Sequence, residues 1–197
     1  MNINPIILKE IAKNNNIITT SQVIRAGYSK TLLTNYVKEG LLERNGHGIY
    51  SLPDKVTDDI YTLMMRSSKI IFSHDTALFL IGLSERTPFK HSITIPSNSS
   101  LPNSIREECN CYYIKPELHE LGMVEARTTF GNTVRCYNIE RTICDLLRSR
   151  NRCDEEMIIS SVKNYVMTKD KNLNLLSSYA DHFRVGKVLK KYMEVLL

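Results

Sequence analysis

Lys30, Thr31, Thr34, Asn35 and Lys38 fall on one face of an amphipathic stretch over residues 29–39. Their chemistry is that of groove reading. An Asn amide can bond an adenine edge, a Thr can touch a thymine methyl or a phosphate, and a Lys can pair with guanine or phosphate. Leu32, Leu33, Tyr36 and Val37 recur at i, i+1, i+4 and i+5, which makes one apolar stripe at helical spacing. Ser29 offers an N-cap hydroxyl, and Gly40 suits the left-handed position past a helix end. A solvated polar face on a small helical domain would carry the same residue types. The neighbouring elements therefore decide how the face is used.

Two helical stretches precede it, 4–14 and 20–26, the second ending at Gly27. Two short β-like runs follow, 41–44 and 49–52, around Asn45-Gly46-His47-Gly48. Three short helices and then a Gly-rich hairpin is the order of a winged helix-turn-helix, whose third helix usually enters the DNA major groove. Asn45-Gly46 is a tight-turn dipeptide. Gly46 and Gly48 would let the backbone approach a phosphate, with Arg44 and His47 at the wing tip. Lys9, Lys13 and Arg25 suit ordinary solvation or phosphate clamping equally. The expected DNA contacts are Arg25, Ser29, Lys30, Thr31, Thr34, Asn35, Lys38, Arg44 and His47. A helix of this length spans about 16 Å, a short half-site. Specific reading then needs two copies on an inverted repeat, by dimerisation or by cooperative binding.

The chain has 197 residues, 42% hydrophobic and 24% charged, an ordinary globular composition with room for one large or two small domains. Net charge is +5. Its excess lies at the two ends: +3 over residues 1–55, zero over 56–150 and +2 over 151–197. That distribution is compatible with a polyanion partner. No run approaches the ~20 apolar residues of a membrane span. No basic segment precedes an apolar core at the N-terminus, so a cytoplasmic location is expected. Five cysteines, an odd number, argue against a disulfide framework. Cys109-Asn110-Cys111 lacks the two to four intervening residues of a zinc hook, and no second pair matches it.

A second domain is expected from residue 56 onward, giving a division 1–55 and 56–197. Thr57 caps a helix to about residue 68, and Ile70-Ile71-Phe72 is a short apolar run. Ser73 caps a helix to Gly82, 92–96 alternates like a strand, and 97–105 is a polar loop. A strand follows at 111–115, and runs 125–130 and 133–138 flank the turn Gly131-Asn132. Helices are placed near 140–150, 154–168, 172–184 and 186–196. The fold class is α+β: a winged helix-turn-helix, then an α+β domain with a small antiparallel sheet and a helical tail.

Catalytic candidates in this domain are thin. His74-Asp75 reads as a capping turn rather than a base and its orienter, because adjacent helical residues point apart. Arg141 and Asp145, four apart in Glu140-Arg141-Thr142-Ile143-Cys144-Asp145, share a helix face and can form an ion pair that locks the helix onto the sheet. No phosphate-binding Gly loop, nucleophile elbow or paired carboxylates for two-metal chemistry is present. The reading is a non-enzyme with no metal and no cofactor.

Several runs together resemble the AbiEi family, antitoxins of abortive-infection toxin–antitoxin systems. They are Gly48-Ile49-Tyr50-Ser51-Leu52-Pro53, Ser73-His74-Asp75-Thr76-Ala77-Leu78, Gly82-Leu83, Arg86-Thr87-Pro88 and Ile93-Thr94-Ile95-Pro96. Two more are Glu140-Arg141-Thr142-Ile143-Cys144-Asp145-Leu146-Leu147-Arg148 and Leu175-Leu176-Ser177-Ser178-Tyr179-Ala180. The resemblance implies that the winged helix binds inverted repeats in its own promoter and represses the operon. It implies that the C-terminal domain opposes a nucleotidyltransferase-like toxin without a stable complex, the chain being a monomer or weak dimer that cooperates on DNA. Any DNA contact by the second domain would rest on Arg148, Arg150, Lys187, Lys190 and Lys191, with Arg127 and Arg135, since 97–105 is poor in basic residues. A rival class stays open: a protein-interaction module that sequesters a partner, with the winged helix as scaffold. A metal-dependent enzyme would require three or more acidic side chains converging in one pocket.

Overall fold

The computed structural model describes residues 2–196, which divide into two compact units. One comprises 1–68 with 127–134, the other 69–126 with 135–197. The first unit thus runs past the expected boundary at residue 55 and takes in the turn of a later hairpin. The reason is local. Asp58 is buried and caps a helix by accepting from Tyr61 N–H at 3.0 Å. Its second carboxylate oxygen accepts from the Thr128 hydroxyl and, at 2.8 Å, from the Asn132 amide.

In the first unit α1 (Pro5–Lys13), β1 (Ile17–Thr19), α2 (Thr20–Arg25), α3 (Lys30–Lys38), β2 (Glu43–Gly46), β3 (Ile49–Ser51) and α4 (Asp59–Arg66) follow in order. Thr19 and Gln22 form a reciprocal capping box on α2. Gly27 and Gly40 both have positive φ, 86° and 69°, and end α2 and α3 as their sequence positions suggest. β1 lies outside the elements expected from the sequence. It pairs antiparallel with β3 in a three-stranded sheet of order β1-β3-β2. Three residues, Ile-Ile-Thr, carry no periodicity, so only the partner strand reveals it. The core gathers Ile7, Ile11, Ile18, Val23, Leu33, Tyr36, Leu42 and Tyr50.

The second unit is built on β4 (Ile71–Phe72), α5 (His74–Leu80), β5 (Ser92–Pro96), α6 (Asn103–Glu108), β6 (Asn110–Ile114), β7 (Met123–Arg127) and β8 (Thr133–Tyr137). Four helices complete it: α7 (Ile139–Arg148), α8 (Glu155–Met167), α9 (Leu173–His182) and α10 (Gly186–Leu196). The five-stranded sheet runs β6-β5-β4-β8-β7. β4 and β5 are antiparallel as expected, but β4–β8 and β5–β6 run parallel. A parallel pair needs a crossover, usually helical. Here α6 supplies it, starting in the last residues of the stretch that reads as a polar loop and running past its end. The helical tail packs on α7, whose residues 140–147 are all buried.

α7 carries a buried polar network. Arg141 and Asp145 pair at 2.9 Å with both side chains wholly out of solvent. Arg141 also donates to the Leu118 and Leu121 carbonyls, each at 2.8 Å. Its guanidinium lies between the Tyr137 and Phe183 rings, 4.1 and 4.0 Å from their centroids. The Glu140 carboxylate accepts from Tyr165 OH at 3.3 Å and Asn172 N–H at 3.1 Å, tying α8 and the start of α9 to α7.

Candidate nucleic-acid interface

On α3, Leu33 is fully buried and Tyr36 nearly so, with Leu32 and Val37 half-buried beside them. The polar residues Lys30, Thr31, Thr34, Asn35 and Lys38 are all exposed. The Ser29 hydroxyl accepts from Thr31 N–H at 3.2 Å, the cap that fixes the start of the helix. At the other end of the unit, Tyr36 OH accepts from Asn4 N–H at 3.0 Å. That bond locks α3 to the start of α1 and leaves no trace in the pattern of apolar residues. α3 is nine residues long, so its axis covers about 14 Å at 1.5 Å per residue. Arg25 is exposed in the last turn of α2.

The wing departs from the sequence expectation in detail. Asn45-Gly46 is not the turn. β2 runs through Gly46, the turn is His47-Gly48, and Gly48 supplies the positive φ of 71°. Asn45 sits where the β2–β3 register shifts, a bulge. Its amide exchanges hydrogen bonds with the Ser51 hydroxyl at 3.1 and 3.2 Å. The two glycines allow close packing within the unit. A Cβ on Gly48 would lie 3.2 Å from Thr20 Oγ1, and one on Gly46 would lie 3.3 Å from the Arg66 side chain. Thr20 N–H donates to Gly48 O at 2.8 Å, so the wing turn is pinned to the start of α2. His47 and Arg44 are exposed, with Arg44 Nε donating to Gly46 O at 3.1 Å.

The basic residues of the second unit are less uniform. Arg148 faces inward: it pairs with Asp145 at 3.3 Å and lies 5.9 Å from the Phe183 ring. Its side chain is about a quarter exposed, so a phosphate would have to draw it away from Asp145. Arg150, Lys187, Lys190 and Lys191 are exposed, with Lys190 3.7 Å from Glu194.

This unit also holds a cleft of about 670 Å³, floored by Ser92, Asn110 and Tyr112 from β5 and β6. His74 lies in its wall, buried and left-handed at φ 50°. Its ring stacks on Tyr112 at 3.5 Å, and Arg152 lies 4.3 Å from the Tyr112 centroid. His74 Nδ1 meets Ser73 Oγ at 2.9 Å and Nε2 meets Ser149 Oγ at 3.1 Å. Burial lowers its pKa to about 4, against the opposing pull of the Asp145 carboxylate. Asp75 bonds neither ring nitrogen and accepts from Thr76 N–H at 2.8 Å. His74 is therefore a neutral packing group with both nitrogens occupied. The Ser73 hydroxyl, expected to cap α5, is spent on His74 and on accepting from Thr94 at 2.8 Å. Asp75, Asp154 and Glu156 all line the cleft, which is the convergence an acidic site would need. Yet among the described residues no three His, Cys, Asp or Glu side chains are grouped to hold a metal ion. The five cysteines are free, and burial pushes the Cys136 and Cys144 thiols up to about 12, which leaves them inert.

Residues 5–53, the stretch from α1 through the wing, match the family described as "Transcriptional regulator, AbiEi antitoxin". The match covers the helix-turn-helix and wing and leaves the rest of the chain outside it. That family is regulatory, a DNA-binding component of toxin–antitoxin systems of the abortive-infection type. No curated protein matches the chain significantly. Among solved structures it is similar to the RV2827C protein from Mycobacterium tuberculosis, at 12% identity and a TM-score of 0.62. The superposition covers 96% of this chain and 79% of the other. At that identity the likeness speaks for the α+β fold. Among the described residues no helix is long and apolar enough to cross a membrane.

Proposed function

We propose that the chain is an AbiEi-family regulator and represses its own operon by placing α3 in the major groove of an inverted repeat in its promoter. The observation that carries the reading is the division of α3 into a stripe packed into the core and an exposed face of Lys30, Thr31, Thr34, Asn35 and Lys38. Thr34 and Asn35 read base edges, as do Lys30 and Thr31 at the capped end of the helix, while Lys38, Arg25 and Arg44 pair with phosphates. Ser29 holds the helix start, and His47 reaches the backbone from the wing turn. Residues 1–55 form the DNA-binding part and 56–197 the antitoxin part. The latter counteracts a nucleotidyltransferase-like toxin without a stable complex, in the cytoplasm. Arg150, Lys187, Lys190 and Lys191 add a secondary phosphate contact. Arg148, also expected there, would have to exchange its pairing with Asp145 for a phosphate.

The test is binding of the full chain to its own upstream DNA and to a scrambled duplex across a salt series. Preference for the native duplex with a steep salt slope supports the repressor reading. Equal and weak binding to both overturns it and favours the rival, a module that sequesters a protein partner.

A further inference from the structure

The cleft face of the second unit carries groups of both charge signs around an apolar centre. Phe89 is fully exposed, at 101% of its reference area, and stands on the cleft rim with Met157. The loop over 84–90 contributes the cations Arg86 and Lys90 to the wall, and the start of α8 contributes the carboxylates Asp154 and Glu156. All four are exposed. The loop is held in place: Arg86 N–H donates to Ser84 Oγ at 3.2 Å and Lys90 Nζ donates to Glu107 O at 2.8 Å. Asp154 spends one oxygen on Glu156 N–H at 2.9 Å, as the cap of α8, and keeps the other.

A two-fold contact requires a surface complementary to itself, so that each residue meets the partner's counterpart of its own neighbour. Cations on one element and carboxylates on another meet that condition. Turned about a two-fold axis, the loop of one copy faces the α8 start of the next. The same carboxylates weigh against a phosphate-bearing ligand in the cleft. A fully exposed aromatic ring is the residue type that anchors an interface when it finds a pocket. The cleft volume of about 670 Å³ lies within the range of sites that enclose a bound group. We propose that this face is where two copies of the chain meet, each Phe89 seated in the other's cleft and Arg86 against the partner's Glu156. The use of such a pair, two modules on one inverted repeat, rests on the repressor reading above; the contact itself does not.

Sedimentation velocity of the full chain without DNA, over a concentration series, tests it. The expected result is a monomer–dimer equilibrium that Phe89→Asp weakens roughly 700-fold, since both copies lose an interface anchor of ~2 kcal/mol at 1.4 kcal/mol per tenfold. Arg86→Glu and Glu156→Arg should each weaken the dimer, and the double exchange should recover it. A chain that stays monomeric at every concentration, a dimer indifferent to Phe89→Asp, or a double exchange with no recovery each overturns the proposal. Operator binding measured on the same samples separates the two readings. Selective binding by a strictly monomeric chain overturns the interface and leaves the repressor standing. A Phe89-dependent dimer without operator preference supports the interface and overturns the repressor.

Discussion

Asp145→Asn keeps the side chain's shape and removes its charge, so it isolates what the buried ion pair contributes. The native carboxylate faces Arg141 Nε at 2.9 Å and an Arg148 amino group at 3.3 Å. Arg148 is 26% exposed and can turn to water, but Arg141 has no exposed surface and cannot. Neutralising one partner of a buried pair costs about 3–5 kcal/mol, because the other charge is stranded. Two features of this site soften the loss. The Leu118 and Leu121 carbonyls still accept from Arg141, and the Tyr137 and Phe183 rings still flank it. Desolvated cation–π contacts are worth ~2 kcal/mol. The expected loss therefore sits at the low end, about 3 kcal/mol.

The chain has ten Tyr and no Trp, so urea unfolding is best followed by far-ultraviolet circular dichroism. The midpoint should fall at an unchanged slope. Arg141→Met should cost at least as much, since it strands Asp145 and leaves two buried carbonyls without their donor. The double variant should lose less than the sum of the singles, because the second change removes the charge that the first one stranded. A loss below ~1 kcal/mol for Asp145→Asn, the value of a solvated surface pair, or strict additivity in the double, would refute the reasoning.

Other expectations follow from the same geometry. Asn35→Ala should relax sequence preference at a cost of roughly 1–3 kcal/mol on the operator. Lys38→Ala should weaken binding evenly and flatten the salt slope by about one unit; equal losses on operator and random duplex for both variants would sink these roles. His74 has its pKa lowered from 6.5 to about 4, chiefly by burial. The unfolded chain therefore takes up the proton first as pH falls, so stability is whole above pH 6.5 and declines toward pH 4, by up to about 3 kcal/mol from this group. His74→Asn, which tolerates the left-handed backbone at φ 50°, should flatten that part of the profile; an unchanged pH slope in denaturation would count against it. Gly122 has φ 78°, and a Cβ there would stand 2.8 Å from Arg141 Cβ. Gly122→Ala should therefore destabilise by about 2–3 kcal/mol, and a melting temperature equal to wild type would show that the site relaxes freely.

The legible parts of the sequence were those with a local cause. Ser29, Gly27 and Gly40 mark α2 and α3 because caps and left-handed positions select residue types directly. Ser92–Pro96 reads as a strand from its neighbours alone. What stayed hidden depended on partners distant in sequence. β1 exists because β3 accepts it. Asn45-Gly46 reads as a turn, but the β2–β3 pairing makes Asn45 a bulge and moves the turn to His47-Gly48. α6 is six residues long and follows directly on a run of Ser, Asn and Pro that masks its start, and the parallel pairing of β5 and β6 is hidden with it. The first unit outgrew its expected boundary because Asp58 binds Thr128 and Asn132, contacts 70 and 74 residues away.

α3 and α7 show why residue type alone does not assign a role. Both helices combine an apolar stripe with charged and hydroxyl side chains; α3 lies in the stretch that the family model matches and α7 outside it. On α3 the polar groups face water, so they can give up hydration to a groove or a phosphate and gain by it. On α7, Glu140, Arg141, Thr142 and Asp145 are buried and bonded inward, to Tyr165, the Leu118 and Leu121 carbonyls, the Asn138 carbonyl and each other. Arg141 Nη2 and Asp145 Oδ1 lack a hydrogen-bond partner but are closed off from solvent, and exposing the network to a ligand would break the bonds that hold it. The charged run that looks most chemical in the second unit is therefore a structural fastening. Its variants should fail in unfolding assays, and those of α3 should fail in binding assays.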